Sequence, residues 1–329
     1  MPSAIVLHQP GPAENLVFEP VATPTLSPDD IRIRHTAVGV NFHDIYVRSG
    51  LYQTLALPGI PGIEGAGIVT EVGSAVQGFA VGDRVAYMYA GYGAYSEERT
   101  LPAQAAVHLP ANVNDQTAAA TLLKGLTAYV LLHEVYSVKP GDRVLVHAAA
   151  GGVGSLLCQW ASHLGAQVIG TVGSDHKIEL ARHNGCAQVI QYRCEDFVAR
   201  VKEITQGEGV QVAYDAIGKD TFAGSLACLA SCGHLANYGQ ASGPVPPFQV
   251  SALFPKANSL SRPNVFQQLK SPEKLRAAAV ALFKALGDGT LSPGQITAFS
   301  LDQAAQAHQA MESRSRTGSV ILTVPATAT

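Results

Sequence analysis

A glycine-rich segment is the part of this 329-residue chain whose residue types and spacing point most directly to chemistry. Residues 148–154 read Ala-Ala-Ala-Gly-Gly-Val-Gly, between a strand-like run at 144–147 and a helix-like run at 155–164. Glycines at such a turn let the backbone approach a pyrophosphate, and the unpaired N–H groups of the helix start attract its negative charge. The pattern therefore predicts that four residues hold the phosphates of a dinucleotide: Gly151, Gly152, Val153 and Gly154.

The residues after the next predicted strand indicate which dinucleotide binds. Sites selective for NAD place an acid there to bind the ribose hydroxyls, and this chain has Val172 at that position. Gly173 leaves space, Ser174 offers a hydroxyl, and Lys177 supplies a positive charge suited to a phosphate. Asp175 is the contrary feature, which we interpret as a helix N-cap. The pattern favours NADPH as the cofactor.

The order of the predicted elements around this segment indicates a parallel sheet. Strands are predicted at 144–147, 168–172, 189–190, 210–215 and 234–238, and helices are predicted between them. Such alternation is typical of a doubly wound α/β domain, with helices on both faces of the sheet. Before residue 120, alternating runs such as 30–34 and 67–72 predict short strands instead. We therefore expect two domains of different architecture.

The pattern changes again after residue 260, where two helices, at 275–286 and 301–311, precede a strand at 319–324. This tail is too small to bury a core of its own, so we expect it to return to the N-terminal domain. The predicted domain boundaries are residues 1–122, 123–262 and 263–329.

Composition and charge exclude several classes of protein. Hydrophobic residues make up 47% of the chain and charged residues 14%, which is typical of a globular enzyme. The net charge of −3, without a long basic run, argues against a nucleic-acid partner. No apolar stretch reaches 18 residues, so no membrane span is expected. The five cysteines lack a scaffold-like spacing, which suits free thiols in the cytoplasm, and we interpret Cys228 and Cys232 as small buried residues on one helix face.

Residues 61–67, Pro-Gly-Ile-Glu-Gly-Ala-Gly, resemble the signature of medium-chain dehydrogenases/reductases, whose zinc-dependent members have histidine where this chain has Ile63. An alkyl side chain cannot bind a metal ion, and catalytic zinc usually takes three ligands from the protein. All five cysteines follow residue 157, so the cysteine-rich lobe that holds structural zinc in alcohol dehydrogenases has no counterpart. The resemblance is therefore to the zinc-free branch of the family, and no metal is expected.

Residues 41–52 and 123–129, together with the glycine-rich segment, make the resemblance more specific. The chain resembles the NADPH:quinone oxidoreductases related to ζ-crystallin over essentially its full length. The resemblance implies a GroES-like β-barrel catalytic domain plus a Rossmann domain, NADPH as cofactor, a quinone as acceptor, and usually a homodimer. For the dimer, an edge strand near residues 250–260 would offer unpaired backbone groups to a second copy.

The resemblance also implies cofactor contacts along the chain. It places the nicotinamide against Asn41, Phe42 and Tyr46, and Tyr129 near the phosphate–ribose chain. The implied adenosine contacts are Gly173, Ser174, Lys177 and Tyr192. Further nicotinamide-side contacts are implied at Ile217, Tyr238, Gly239, Gln240 and Ser242, with Arg262 and Ser319 closing the cleft from the tail. His43 departs from the aliphatic residue often found at its position in the family.

Quinone reduction requires little of the protein beyond holding two rings together in a dry slot. Asn41, Tyr46 and Tyr52 are candidates to donate hydrogen bonds to a developing oxyanion, because a phenol stays protonated at neutral pH. Lys124 is a candidate for added positive charge. The structural alternatives are that Tyr52 is a surface loop residue and that Lys124 anchors the helix between the domains.

Two other functions remain open from the sequence. The first is reduction of an activated C=C bond, in an enone or an enoyl thioester, with a tyrosine that protonates carbon. The second belongs to a different class: a crystallin-like or RNA-associated protein that binds the dinucleotide with little turnover. The nearly neutral charge and the intact nicotinamide-side residues disfavour the second function.

Overall fold

A computed structural model of the chain describes residues 1–313 and 317–325, which fall into two compact units. The first unit contains Met1–Leu123, Pro272–Gly287 and the described residues from Pro293 onward. The second unit contains Lys124–Ser271 and the short segment Asp288–Ser292. Within the described ranges, no helix is long and apolar enough to cross a membrane.

The strands are mostly short and are spread over the whole described chain. They are β1 (Ser3–Leu7), β2 (Leu16–Pro20), β3 (Asp30–Val40), β4 (Glu64–Val72), β5 (Arg84–Met88), β6 (Glu98–Pro102), β7 (Ala106–His108), β8 (Arg143–Val146), β9 (Gln167–Val172), β10 (Cys186–Gln191), β11 (Val210–Asp215), β12 (Leu229–Asn237), β13 (Ser259–Ser261), β14 (Ile296–Ser300) and β15 (Ser319–Thr323).

The helices vary from one turn to more than four turns. They are α1 (Phe42–Arg48), α2 (Asp115–Val130), α3 (Gly152–His163), α4 (Ile178–His183), α5 (Phe197–Ile204), α6 (Phe222–Ala227), α7 (Val265–Gln268), α8 (Pro272–Gly287) and α9 (Ala304–Glu312). A π-helical turn, Leu131–Val135, continues α2, and short 3₁₀ turns occur at Ala13–Asn15, Ala103–Ala105, Asp175–Lys177, Val250–Lys256 and Leu301–Gln303.

The first unit is built on a mixed sheet with the strand order β14-β15-β3-β4-β5-β7, and β6 also pairs with β3. The alternation predicted at residues 30–34 holds in β3, where Ile31 and Ile33 are fully buried between half-buried neighbours. The end of the chain joins this sheet, because β15 pairs antiparallel with β3 and places Val320 opposite Val40. This unit buries its own apolar cluster, which includes Tyr95.

The second unit contains a parallel sheet with the order β10-β9-β8-β11-β12-β13. Counted from β8, this is the order 3-2-1-4-5-6 of the doubly wound dinucleotide fold. The predicted α/β class and parallel sheet are confirmed. The order reverses between β8 and β11, so the loops after these two strands emerge side by side at the carboxyl edge, where such folds bind their ligands.

Three local expectations were wrong. The predicted helix at 221–230 ends at Ala227, because residue 229 enters β12 and pairs with Val210. Cys228 and Cys232 therefore do not share a helix face; Cys228 is buried, whereas Cys232 lies exposed in β12 with a φ of 60°. The tail also contains β14, which the sequence pattern missed because its residues are at most half-buried and its burial does not alternate.

A buried carboxylate organises the end of β11. Asp215 is fully buried, and one of its oxygens accepts hydrogen bonds from the backbone N–H groups of Ile217 (2.8 Å) and Gly218 (3.0 Å). The hydroxyls of Thr221 (2.8 Å) and Ser225 (3.0 Å) also donate to the carboxylate. A buried carboxylate is tolerated only when its oxygens are paired in this way, so this side chain shapes the loop that follows β11.

We expect Asp215→Ala to lower the free energy of unfolding of the second unit by about 3 kcal/mol or more, because it leaves several buried donors without an acceptor. Urea unfolding followed by fluorescence measures this, since the single tryptophan, Trp160, lies buried in α3 of the same unit. The matched control is Asp220→Ala, which removes an exposed carboxylate from the same loop. Equal effects of the two substitutions would contradict the role assigned to Asp215.

Candidate functional site

The turn between β8 and α3 is shaped to receive an anion. Ala148 has a φ of 55°, and the N–H of Gly151 donates to its carbonyl at 2.8 Å, so the chain reverses tightly. A Cβ on Gly154 would lie 2.1 Å from the same carbonyl oxygen, which only glycine avoids. The helix starts at Gly152, three residues earlier than predicted, with Gly151 as N-cap.

The start of α3 also presents N–H groups from the predicted phosphate-binding residues. Within the described chain no side chain caps this helix end, and the first-turn N–H groups of Gly152, Val153 and Gly154 have no partner within the helix. The helix dipole adds positive potential at this end. A turn without room for a Cβ, followed by uncapped N–H groups, fits the pyrophosphate of a dinucleotide.

The predicted adenosine end follows β9 in the same unit. Gly173 faces Tyr192, because a Cβ on Gly173 would lie 2.7 Å from the Tyr192 hydroxyl. Ser174 is the N-cap residue of the 3₁₀ turn Asp175–Lys177. Asp175 is thus not the N-cap that the sequence predicted, since it begins the turn one residue later.

Two cations lie at this end of the unit. Partial burial and the nearby Arg193 charge both lower the pKa of Lys177. The two positive side chains therefore lie close enough to repel each other. Like charges held together are relieved by an anion, and a ribose 2′-phosphate is an anion that suits two cations. The sequence analysis missed Arg193. Its position beside Tyr192, directly after β10, was the signal that could have identified it.

The loops after β11 and β12 hold most of the remaining predicted contacts of this unit: Ile217, Tyr238, Gly239, Gln240 and Ser242. Asp215 fixes Ile217 through its N–H, and the Ser242 hydroxyl donates to the Ile217 carbonyl at 2.8 Å. These bonds bring the two loops together.

Arg262 is hydrogen-bonded to the end of β12 and to the loop that follows it. Its Nη1 donates to the Asn237 side-chain oxygen and to the Gly239 carbonyl, each at 2.8 Å. It follows β13 and belongs to the second unit, not to the returning tail, and its contact with the cofactor stays a prediction. Ser319 lies in the first unit, where it begins β15 and donates its hydroxyl to the Ala120 carbonyl at 2.9 Å.

Two of the predicted site residues, Lys124 and Tyr129, lie on α2. Tyr129 packs within the second unit, with ring centroids 4.7 Å from His133 and 5.9 Å from Trp160. Lys124 is only 5% exposed and is the first residue of that unit.

Asn41 is held in place by buried carboxylates of the first unit. It is the N-cap of α1 and forms a reciprocal capping box with Asp44. Its Nδ2 donates to Glu64 Oε1 at 2.7 Å, and the other Glu64 oxygen accepts from the backbone N–H of Leu123 at 2.7 Å. Glu64 itself is fully buried, so the amide plane of Asn41 is fixed before any ligand binds.

An aromatic cluster covers one side of α1. The ring centroids of Phe42 and Tyr46 are 6.2 Å apart, and those of Tyr46 and Tyr52 are 5.2 Å apart. The His43 ring contacts Tyr52 at 5.5 Å and stacks on Tyr92 at 5.9 Å. The structure thus brings together the predicted Phe42, Tyr46 and Tyr52 and adds Tyr92, which the sequence analysis missed.

A cavity of about 320 Å³ opens beside Tyr52 in the first unit. Its lining is mainly apolar and consists of Pro10, Val47, Gly50, Tyr52, Gln53, Leu55 and Leu57. This volume is in the range of small-molecule sites, which are apolar with a few placed polar groups. Tyr52 is half-buried at the edge of this cavity.

The position of a catalytic zinc ligand is occupied by a fully buried alkyl side chain, Ile63. Among the described residues there is no group of three or more His, Cys, Asp or Glu side chains that could hold a metal ion. The donors that the first unit offers around α1 are hydroxyl, amide and imidazole groups on Tyr46, Tyr52, Tyr92, Asn41 and His43.

Two family models and several full-length relatives match this chain. Residues 27–111 match the family model described as the alcohol dehydrogenase GroES-like domain, and residues 152–284 match the one described as zinc-binding dehydrogenase. A quinone oxidoreductase of Pseudomonas aeruginosa is 45% identical, covering 90% of this chain and 91% of its own length. A 2-haloacrylate reductase of a Burkholderia species is 42% identical, over 98% of this chain and 99% of its own.

A solved structure extends the likeness to three dimensions. The quinone oxidoreductase of Escherichia coli, crystallised as a complex with NADPH, superposes with a TM-score of 0.95 and 40% identity. The match covers 98% of this chain and all of that chain. The β-rich first unit with its GroES-like domain, the doubly wound second unit and the full-length similarity lead to one conclusion: the chain belongs to the quinone oxidoreductase family of the medium-chain dehydrogenases/reductases.

Proposed function

We propose that this protein reduces quinones in the cytoplasm with NADPH by hydride transfer, without a metal ion. The observation that carries the proposal is that one chain contains both an anion-binding turn for a dinucleotide and a cluster of aromatic and hydroxyl groups for an acceptor. The second unit has an anion-binding turn at the switch point of its sheet. The first unit has aromatic and hydroxyl groups, with Ile63 at the metal-ligand position. The full-length likeness to quinone oxidoreductases supports the same function.

We assign the two units separate tasks. Residues 123–262 form the NADP-binding domain, residues 1–122 the GroES-like catalytic domain, and residues 263–329 the return of the chain to the catalytic domain. The pairing of β15 with β3 supports the last assignment.

NADPH binding falls mainly to the second unit in this proposal. The N–H groups at the start of α3 bind the pyrophosphate, and Lys177 and Arg193 bind the 2′-phosphate. Gly173 and Tyr192 border the adenosine, while Asp215 holds the loop that carries Ile217 toward the nicotinamide. When bound, NADPH supplies the hydride.

Quinone binding falls to the first unit. The mainly apolar cavity beside Tyr52 accepts a flat, weakly polar ring. Tyr46 and Tyr52 donate hydrogen bonds to the oxygen that gains charge, and Asn41 is oriented by Glu64 to help place the ring. Lys124, buried on α2 as the first residue of the second unit, is the proposed source of added positive charge in that unit. No step requires a proton from one particular side chain, because a reduced quinone oxygen can take its proton from water.

We also propose a homodimer formed through the second unit. The edge strand β13 has unpaired backbone groups on its outer side, and the preceding 3₁₀ turn leaves Val250 and Phe254 74% and 87% exposed. A second copy that extends the sheet would cover both features.

The proposed function predicts that the purified protein oxidises NADPH when 1,4-benzoquinone is added. The loss of absorbance at 340 nm measures the rate, and a mixture without protein gives the uncatalysed background. A protein that binds NADPH tightly yet leaves the background rate unchanged would reject the proposal.

We expect Lys177→Ala to weaken NADPH binding about tenfold or more and to leave NADH binding nearly unchanged. A charge-assisted contact to phosphate contributes about 1.5–3 kcal/mol, and tenfold corresponds to about 1.4 kcal/mol. Titration of each cofactor measures the two dissociation constants. Lys202→Ala, at an exposed lysine of the same unit, is the control. If both cofactors bind more weakly to Lys177→Ala by the same factor, the side chain is structural.

We expect Tyr46→Phe and Tyr52→Phe each to reduce kcat for quinone by at most about 10²-fold, the lower end for a lost oxyanion donor. Both changes keep the apolar walls, and the double substitution should retain a measurable rate. Steady-state kinetics with 1,4-benzoquinone provide the test. Complete loss of quinone turnover in one of the single variants, with NADPH binding intact, would show that positioning alone does not explain catalysis.

A further inference from the structure

A buried row of hydrogen bonds connects α9, late in the sequence, with α1, which carries several of the proposed acceptor groups. His308 on α9 has its Nε2 atom 2.9 Å from the hydroxyl of Tyr95, a residue of the loop between β5 and β6. That hydroxyl donates to Oδ2 of Asp44 on α1 at 3.1 Å. All three side chains are buried in the first unit, and no step of the proposed quinone mechanism uses them.

The position of each proton in this row follows from what each group can donate and accept. A carboxylate only accepts, and a phenol has a single proton to donate. When Tyr95 donates that proton to Asp44, its oxygen can only accept from His308, whose proton must then lie on Nε2. Among the described residues His308 Nδ1 has no hydrogen-bond partner, so a proton there would be a buried donor without an acceptor. The hydrogen bonds therefore all run in one direction, from His308 through Tyr95 to Asp44.

The protonation states at neutral pH agree with this direction. Burial and the nearby Arg48 charge lower the pKa of His308 to about 3, so its imidazole is neutral and carries one N–H. Burial and the neighbouring Asp44 charge raise the pKa of Tyr95 well above its ordinary value, so the phenol keeps its proton. The row thus keeps the same protons around neutral pH and acts as a fixed support.

The carboxylate at the end of the row holds the backbone of Asn41. Asp44 Oδ2, the oxygen that accepts from Tyr95, also accepts from the Asn41 N–H at 2.8 Å. Asn41 and Asp44 together form the capping box at the start of α1. The position of this helix end, and of Asn41 with it, therefore depends on the Tyr95 hydroxyl.

The ring of Tyr95 supports Asn41 from a second direction. A Cβ on Gly62 would lie 2.3 Å from Tyr95 Cδ1, so glycine is needed for the ring to pack against this segment. The Tyr95 N–H also donates to the Pro61 carbonyl at 3.0 Å. Two residues after Gly62, the Glu64 carboxylate binds the Asn41 side chain at 2.7 Å. Tyr95 thus contacts both the support of the Asn41 backbone and the segment that supports its side chain.

An ion pair holds the other end of α1 against α9. Arg48, the last residue of α1, is 4% exposed and donates through Nη1 and Nη2 to the two carboxylate oxygens of Glu312, at 2.9 and 2.7 Å. A bidentate pair of this kind fixes orientation as well as distance. Because Glu312 ends α9 one turn after His308, the same helix supports both ends of α1.

We propose that Tyr95 and His308 are positioning residues, which hold Asn41 at the place where it meets the acceptor. This inference rests on the proposed quinone reduction, in which Asn41 helps to place the ring. Neither residue touches the acceptor, since Tyr95 acts through Asp44 and the segment before Glu64, and His308 acts through Tyr95. A misplacement of about 1 Å that originates far from the reacting atoms can lower turnover by about 10²-fold. The returning tail therefore contributes to catalysis without contributing a reacting group.

The first test compares Tyr95→Phe, His308→Leu and His308→Gln in steady-state kinetics with 1,4-benzoquinone. Tyr95→Phe keeps the ring against Gly62 and removes only the hydroxyl, and His308→Leu removes the donor. The glutamine amide can donate to Tyr95 from nearly the same place as the imidazole Nε2. We expect Tyr95→Phe and His308→Leu to lower kcat/KM about tenfold or more, and His308→Gln to restore most of that loss. NADPH should bind all three variants nearly as it binds the unsubstituted protein.

Ala307→Gly is the matched control. Ala307 is the buried neighbour of His308 on α9, and glycine weakens a helix without touching the row of hydrogen bonds. We expect a lower melting temperature and an unchanged kcat/KM. The proposal is overturned if Ala307→Gly lowers kcat/KM as much as Tyr95→Phe does, because the row then only stabilises the fold. It is also overturned if Tyr95→Phe leaves kcat/KM unchanged, or if His308→Gln loses as much as His308→Leu.

The second test needs no turnover and so separates this inference from the proposed function. Nitrogen NMR distinguishes the two neutral imidazole tautomers, and the His308 signals are identified by their loss in His308→Gln. The side-chain amide signals of Asn41 are identified by their loss in Asn41→Ser, which keeps a residue able to cap α1. We expect the Nε2–H tautomer at pH 7, and Asn41 amide signals that shift in Tyr95→Phe but stay in place in Ala307→Gly.

Two NMR results would contradict the positioning role: the Nδ1–H tautomer of His308, or Asn41 amide signals that do not move in Tyr95→Phe. A protein that shows the expected tautomer and shifts but reduces no quinone would reject the proposed function. The hold of Tyr95 and His308 on Asn41 would then stand without it.

Discussion

The close approach of backbone to backbone at the turn between β8 and α3 is the constraint on which the rest of the second unit depends. A Cβ at Gly154 would lie 2.1 Å from the Ala148 carbonyl, so α3 can begin directly against the strand end only with glycine there. The first-turn N–H groups of α3 then face outward, uncapped by side chains within the described residues. An anion can bind there because nothing else in the helix satisfies those groups.

The loop after β11 differs from the turn after β8, because its backbone N–H groups already have partners. After β11 the backbone donors are satisfied internally, by the buried carboxylate of Asp215. Because the strand order reverses between β8 and β11, the open loop and the satisfied loop emerge side by side. The loop after β8 leaves its backbone N–H groups available to a ligand, and the loop after β11 holds its own backbone rigid beside that ligand. A dinucleotide needs both loops, because its phosphates bind to backbone N–H groups and its nicotinamide ring packs against a rigid loop.

Buried carboxylates hold the predicted site residues around α1 of the first unit in place through hydrogen bonds. Glu64 follows Ile63 in the signature segment, and its two buried oxygens hold Asn41 and the backbone of Leu123. The carboxylate of Glu64 thus fixes the orientation of the Asn41 amide. The hydroxyl groups around α1 belong to tyrosine rings, which polarise an electron acceptor only weakly. Such a site suits acceptors that are already electron-poor.

The sequence by itself determined those features whose cause is local. The glycine spacing at 151–154 and the missing acid at Val172 each act within a few residues, so the dinucleotide fold and the cofactor preference could be predicted. Only the tertiary structure decided the features that join distant segments. Arg193 and Lys177 come together because β9 and β10 are paired strands. Tyr92 reaches His43 because the loop after β5 folds back over α1, across 49 residues of sequence. The segment after Ala227 becomes a strand because β11 offers it unpaired backbone groups. No local pattern carries these contacts, since each depends on which backbone groups and side chains the rest of the fold leaves unsatisfied.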